Sequence, residues 1–298
     1  MDYTRYNNFS SVYVIEFLKD GNLRTGRDLY ESCILPLGQI KENLYTNLTQ
    51  PKSKREFFDV LSKIVDDCKA NSRGPILHIE AHGNDDGIAN DSIVQSADQI
   101  IFWSELKPFL CNLNEVSGLN LLVIMAACNG FNLTKVVQLT DRAPVWGIIG
   151  PEVNVEAGHI LEGFKEFYKK LFESCDGRKA LNSLNKSPDV KDWHFKFLNA
   201  EFFFIYIYKN YLETLCTEDA LLKRAQKIVK ESGAGRPLNS NIESQMIKDF
   251  FKLLSSTQIA YFEKHKRHFF MMDLFEDYDQ RFQITFDQCK KFLQGNGS

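Results

Sequence analysis

The sequence predicts an α/β fold: a mostly parallel β-sheet covered by helices on both faces, followed by a mainly helical C-terminal extension. Three observations predict it. Short runs rich in β-branched and aromatic residues alternate with stretches whose apolar residues recur at helical spacing. Two of those runs, ILHIEA (76–81) and NLLVIMAAC (120–128), are almost continuously apolar, as strands buried on both faces require. After about residue 212 the chain becomes charged and aromatic and the strand-helix alternation stops. The expected division is an α/β domain over 1–212 and an extension over 213–298, open to a regulatory role.

Each element follows from local pattern. SVYVIEF (11–17) reads as a first strand, and the segment 27–40 as a helix that Pro36 ends or bends. Residues 52–70 place Phe57, Leu61, Ile64, Val65 and Cys68 on one helical face. Gly74-Pro75 breaks that helix ahead of the strand 76–81. GNDDG (83–87) is turn chemistry, and 88–102 reads as a small hairpin or an extended edge. Ser104 caps a helix through Leu113, then comes the strand 120–128, a helix after Gly130, and a strand in APVWGIIG (143–150). Residues 155–173 carry a strong apolar face from Ile160 to Phe172, and another helix runs from Gly177 to Asn185. EFFFIYIYK (201–209) reads as a late strand. Residues 217–231 read as a charged helix, and SGAGRPLNSN (232–241) as a linker.

Composition excludes several classes of function. A net charge of −3 over 298 residues gives no bulk attraction for nucleic acid. MDYTRYNNFS lacks a signal peptide's basic start and apolar centre, and no apolar run approaches the ~18 residues of a membrane span. The seven cysteines are odd in number and form no CxxC pair, against both a disulfide framework and a structural zinc site. A cytoplasmic protein without metal or cofactor is expected.

The chemistry sits at two strand ends. His82 follows the strand 76–81, and Cys128 closes the strand 120–128. Parallel strands finish at one edge of an open sheet, so neighbouring strands bring imidazole and thiol together there. A free thiol titrates near ~8.5, and a nearby imidazole can take its proton during attack and return one to a leaving amine. The N–H groups of Gly83 and Cys128 are candidate donors to an oxyanion. Gly83 has no side chain to hold a substrate carbonyl away, and Gly130 lets the chain turn behind the nucleophile.

These residues resemble a known family. "ILHIEAHG" followed by "LLVIMAACNG" is similar to the caspase-like clan CD cysteine peptidases, and most similar to their CHAT branch, as found in small stand-alone bacterial proteases. Ala-Cys-x-Gly with a histidine about 50 residues upstream is also the core of the caspase signature. Ala126 stands where caspases carry glutamine, which sets aside caspase-type aspartate specificity. "QIIFWSELKPFL" resembles the CHAT segment between the two motifs, and residues 145–185 resemble the one after the cysteine, so the likeness spans roughly 10–210.

The resemblance implies a caspase-like three-layer α/β/α sandwich and a cysteine endopeptidase. It implies that His82 is the general base, Cys128 the nucleophile and Gly83 part of the oxyanion hole. It further implies a protein substrate, a regulatory protein partner, and a place in bacterial antiviral defence or cell death, with a gasdermin-type pore-former among the targets.

Each residue has a plainer explanation. A lone cysteine at a strand end is usually packing, and it is the matched His82-Gly83 that argues otherwise. His78 and Glu80 share a strand face with His82, and core packing is their default. The substrate pocket is expected from Arg24 and Arg27 after the first strand, Ala126 before the thiol, Glu152 in the later loop, and Asp85 beside His82. The arginines suit an acidic substrate side chain and Glu152 a basic one. A catalytically silent scaffold that binds partners through its extension is the alternative function, and a thiol transferase on the same nucleophile a third.

Overall fold

The computed structural model describes residues 9–94, 96–188, 190, 194–232 and 240–294. Residues 1–8 and most of the expected linker, 233–239, lie outside the described residues. The chain divides into two compact units, one of residues 1–137 and 143–200, the other of 138–142 and 201–298.

The first unit is an α/β sandwich. Its strands are β1 (Ser11–Phe17), β2 (Tyr45–Thr49), β3 (Pro75–Gly83), β4 (Gly87–Ala89), β5 (Ile101–Phe102), β6 (Leu122–Ala126), β7 (Gly147–Gly150) and β8 (Lys196–Asn199). The main sheet has the order β2-β1-β3-β6-β7-β8. All its pairings are parallel except β7 with β8. β4 and β5 add a short antiparallel ribbon to the end of β3.

Alternation along the strands gives the sheet two apolar faces. Tyr13, Ile15, Leu77, Ile79, Val123 and Met125 face one side. They pack on Phe57 and Leu61 of α3 (Lys54–Asn71) and Leu106 and Leu110 of α4 (Trp103–Val116). Val12, Val14, Ile76, Leu122, Ile124 and Ala126 face the other. There they meet Leu29 of α1 (Thr25–Leu29), Ile34 just before α2 (Leu35–Ile40), Ile160 and Phe164 of α5 (Ala157–Ser174), and Ala180 and Leu184 of α6 (Gly177–Lys186). Helices, sheet and helices thus form three layers, as predicted.

Several local expectations are corrected. Pro36 does not break its helix. A π-turn over Tyr30–Ile34 widens the backbone ahead of it, with the Leu35 N–H bonding back to the Tyr30 carbonyl. Trp103, not Ser104, opens α4, and the Glu105 carboxylate takes the Phe102 N–H at 3.0 Å. Only a 3₁₀ stretch, Gly130–Val136, follows Gly130.

EFFFIYIYK is helical, within α7 (Ala200–Leu215). Phe203, Phe204, Tyr208 and Leu212 are buried while Phe202 and Tyr206 are exposed, a helical rather than a two-residue period. The strand propensity of its aromatics yields to packing, and the actual late strand is β8, just upstream. The second unit takes in α7 from Glu201 onward.

The second unit continues with α8 (Glu218–Ser232), α9 (Ser240–Ser256), α10 (Gln258–Phe269), α11 (Tyr278–Arg281) and α12 (Phe286–Gln294). Its centre is aromatic: Phe204, Tyr208, Phe262, Phe269 and Phe270 are buried, with ring centroids 5.0–5.7 Å apart in neighbouring pairs. Arg142 forms a two-pronged ion pair with Asp273 at 2.7 and 2.8 Å. No helix among the described residues is long and apolar enough to cross a membrane.

Candidate active site

β3 and β6 are adjacent at the centre of the sheet, and their register pairs Ile76 with Leu122 and Glu80 with Ala126. His82 and Cys128 each lie two residues beyond that last pair. The two strand ends differ in build. β3 runs three residues past its last pairing with β6, and His82 and Gly83 are held there by antiparallel pairing with Ala89 and Ile88 of β4. β6 stops at Ala126, so Cys128 lies in a turn instead of closing the strand.

That turn is built by Asn129, which sits in the left-handed region at φ 53°. Asparagine tolerates that conformation because its short polar side chain bonds locally, and here its amide donates to Asn154 Oδ1 at 3.2 Å. Gly130 serves a different need from the one expected, since a Cβ there would stand 2.4 Å from the Met125 side chain. Gly83 is likewise required by its neighbour. A Cβ on it would lie 2.0 Å from the Cys128 carbonyl oxygen and 3.1 Å from the Cys128 nitrogen. The two turns therefore touch backbone to backbone.

This contact sets the available donors. The Asn84 N–H bonds the Gly87 carbonyl at 3.0 Å, which makes Gly83–Ile88 the intervening pair without ladder bonds and directs the Gly83 N–H away from β4. No acceptor among the described residues takes the Cys128 N–H. Asp85 braces the arrangement. Its carboxylate accepts from Asn132 Nδ2 at 2.9 Å and its carbonyl from Trp103 Nε1 at 3.0 Å.

The His82 and Cys128 side chains are both partly buried. The imidazole pairs with the side chain of Asn22, His82 Nε2 lying 3.2 Å from Asn22 Oδ1. Burial holds the His82 pKa below that of an ordinary histidine, and the Asp91 carboxylate partly opposes this. A neutral imidazole at pH 7 is the form that can accept a proton. The thiol meets residue 155 instead: the Val155 N–H donates to Cys128 Sγ at 3.3 Å, and Sγ lies 3.5 Å from the Val155 carbonyl. Segment 151–155 is laced to the same turn through Asn129 N–H to Val153 O (3.2 Å) and Phe131 N–H to Pro151 O (3.1 Å).

The expected pocket residues are mostly committed elsewhere. Arg24 lies 3.2 Å from Glu16, a fully buried carboxylate, and also pairs with Asp20. Arg27 is exposed and pairs with Glu31 at 2.8 Å, while its N–H donates to Glu16 at 2.9 Å. Ala126 is buried in the apolar layer with Ile160 and Phe164 of α5. Glu152 holds Lys196 at the surface. His78 and Glu80 form a buried group of their own, His78 bridging Glu80 (3.2 Å) and the Tyr168 hydroxyl (3.1 Å), with Thr25 donating to Glu80 at 2.6 Å.

Asn22 and Val155 were missed because nothing in their sequence context marks them. Each reaches the site from a loop, Asn22 through its side-chain amide and Val155 through its backbone N–H and carbonyl. Among the described residues no cluster of three or more His, Cys, Asp or Glu side chains is arranged to hold a metal ion. No family model matches the chain, and no curated protein matches it.

Proposed function

We propose that the protein is a cysteine endopeptidase of the caspase-like, CHAT-like kind, with Cys128 as nucleophile and His82 as general base. One observation supports the reading: β3 and β6 pair in parallel up to Glu80 and Ala126, and just beyond that pair Gly83 lies against the Cys128 backbone. In the proposed reaction the Cys128 sulfur attacks a peptide carbonyl as His82 takes the thiol proton. The N–H groups of Gly83 and Cys128 receive the oxyanion. The imidazolium returns its proton to the departing amine, leaving a thioester. Water, deprotonated by His82, then releases the acid and restores the thiol.

The proposed substrate is a protein, a gasdermin-type pore-former being one candidate. The proposed setting is a regulated defence or cell-death pathway in the cytoplasm. The helical second unit is the proposed seat of a regulatory partner. The test is to express wild-type and Cys128→Ala chains beside the genomic neighbours and to map new protein N-termini by mass spectrometry. Termini that appear with the wild type alone are expected, and identical sets from both chains overturn the assignment.

A second reading has an observation of its own. Val155 already occupies the thiol through its N–H and carbonyl, as suits a silent scaffold that binds partners. That reading predicts no adduct between Cys128 and a peptidyl electrophile at neutral pH.

A further inference from the structure

We infer that Asn22 is the positioning residue of the His82 imidazole, selecting which ring nitrogen carries the proton. The inference rests on the dyad proposed above and adds a third member to it.

The geometry fixes the amide. Asn22 Nδ2 donates to the Lys19 carbonyl at 3.1 Å, so the NH₂ end is already used and the oxygen end faces the ring. A carbonyl oxygen only accepts, so His82 Nε2 must carry its hydrogen to make the 3.2 Å contact. The neutral ring is then protonated at Nε2 and basic at Nδ1. A cysteine–histidine pair oriented by an asparagine is a known solution on an unrelated fold, so the chemistry is sufficient.

The turn that carries Asn22 is itself anchored. The Asn22 N–H closes onto the Lys19 carbonyl at 3.2 Å, and Gly21 supplies the positive φ of 98° that the turn needs. The Lys19 N–H bonds the Asn90 carbonyl at 2.7 Å, and its ammonium pairs with Asp91 at 2.9 Å. Residues 90 and 91 directly follow β4, the strand that pairs with His82. The Asn22 turn and the His82 strand are therefore both tied to the end of β4. An amide oxygen also favours the imidazolium less than a carboxylate does, which leaves the ring free to act as a base near neutrality.

The test reads Cys128 alone, without a substrate. Iodoacetamide labelling of the Cys128 peptide is followed by mass spectrometry from about pH 5 to about pH 9. It is run on wild type, His82→Ala, Asn22→Ala and Asn22→Asp, alongside ¹H–¹⁵N spectra that report the His82 tautomer and titration. The wild type is expected to show the Nε2–H tautomer. Asn22→Ala should mix the tautomers and slow labelling at pH 7 about tenfold, the equivalent of one hydrogen bond to a charged group. Asn22→Asp should keep the tautomer and move the imidazole titration to higher pH.

If His82→Ala leaves the labelling profile unchanged, the dyad itself is lost, and this inference with it. If His82→Ala alters the profile while Asn22→Ala keeps both wild-type tautomer and profile, only the role of Asn22 is overturned. An Asn22→Asp chain whose imidazole titration stays in place or moves to lower pH overturns it as well.

Discussion

A Cβ on Gly83 would stand 2.0 Å from the carbonyl oxygen of Cys128, so the turns after β3 and β6 meet at a position that only hydrogen fills. The obstructing atom is main chain and cannot rotate away. Gly83→Ala should therefore cost about 1–3 kcal/mol, the range for overpacking, and should part the two turns. Thermal unfolding checks the first effect and altered iodoacetamide labelling of Cys128 the second. A folded variant with wild-type stability would show that the turns are not locked together.

Asn129 sets a conformational demand at the same place. At φ 53° a β-branched residue pays about 1–2 kcal/mol that asparagine and glycine largely avoid. Asn129→Val should lose about that much in denaturant melts. Asn129→Gly should stay close to wild type, losing only the side-chain bond to Asn154. Equal losses in both variants would assign the cost to that bond rather than to the backbone.

The pH response of His82 follows from its burial. Desolvation lowers its pKa in the folded chain, and the Asp91 carboxylate works the other way. As pH falls through about 6.5, the unfolded chain takes up this proton before the folded one does, so the contribution of His82 to stability declines on acidification. Asp91→Asn removes the opposing charge and should move the imidazole titration to still lower pH. An NMR titration of the ring checks the direction, and an upward shift would contradict it.

Arg24 was expected to face substrate, but it is tied to the fully buried Glu16. Arg24→Ala would leave that carboxylate with the Arg27 N–H and Gln50 as partners. The expected cost is about 1–3 kcal/mol, the range for loss of a charged hydrogen bond to a buried group. Equilibrium unfolding measures it. A variant of unchanged stability would return Arg24 to the list of substrate contacts.

These particulars show how far a sequence of this kind can be read. β1, β3, β6, α3 and α5 follow from patterns that burial enforces: continuous apolar runs for central strands and a 3.6-residue stripe for covering helices. β2 was invisible because YTNLT is a short, half-buried edge strand with no apolar alternation. α7 was misread because seven aromatic and β-branched residues in a row satisfy the strand rule, whereas their fate is decided by which side the neighbouring helices cover. At the site, the approach of Gly83 to the Cys128 backbone was legible because neighbouring parallel strands finish at a shared edge. Asn22 and Val155 were not, because loop-to-site contacts depend on where a turn lands in space, and no periodicity encodes that.

The sheet order also implies a sequence of events during synthesis. β1, β2 and β3 can pair as soon as they leave the ribosome, but β3 gains its other neighbour only when β6 emerges, 46 positions later. Until then the imidazole borders an unfilled gap, and the sulfur has no fixed address. A nascent or partly unfolded chain whose central sheet has not closed thus lacks the backbone contact between Gly83 and Cys128.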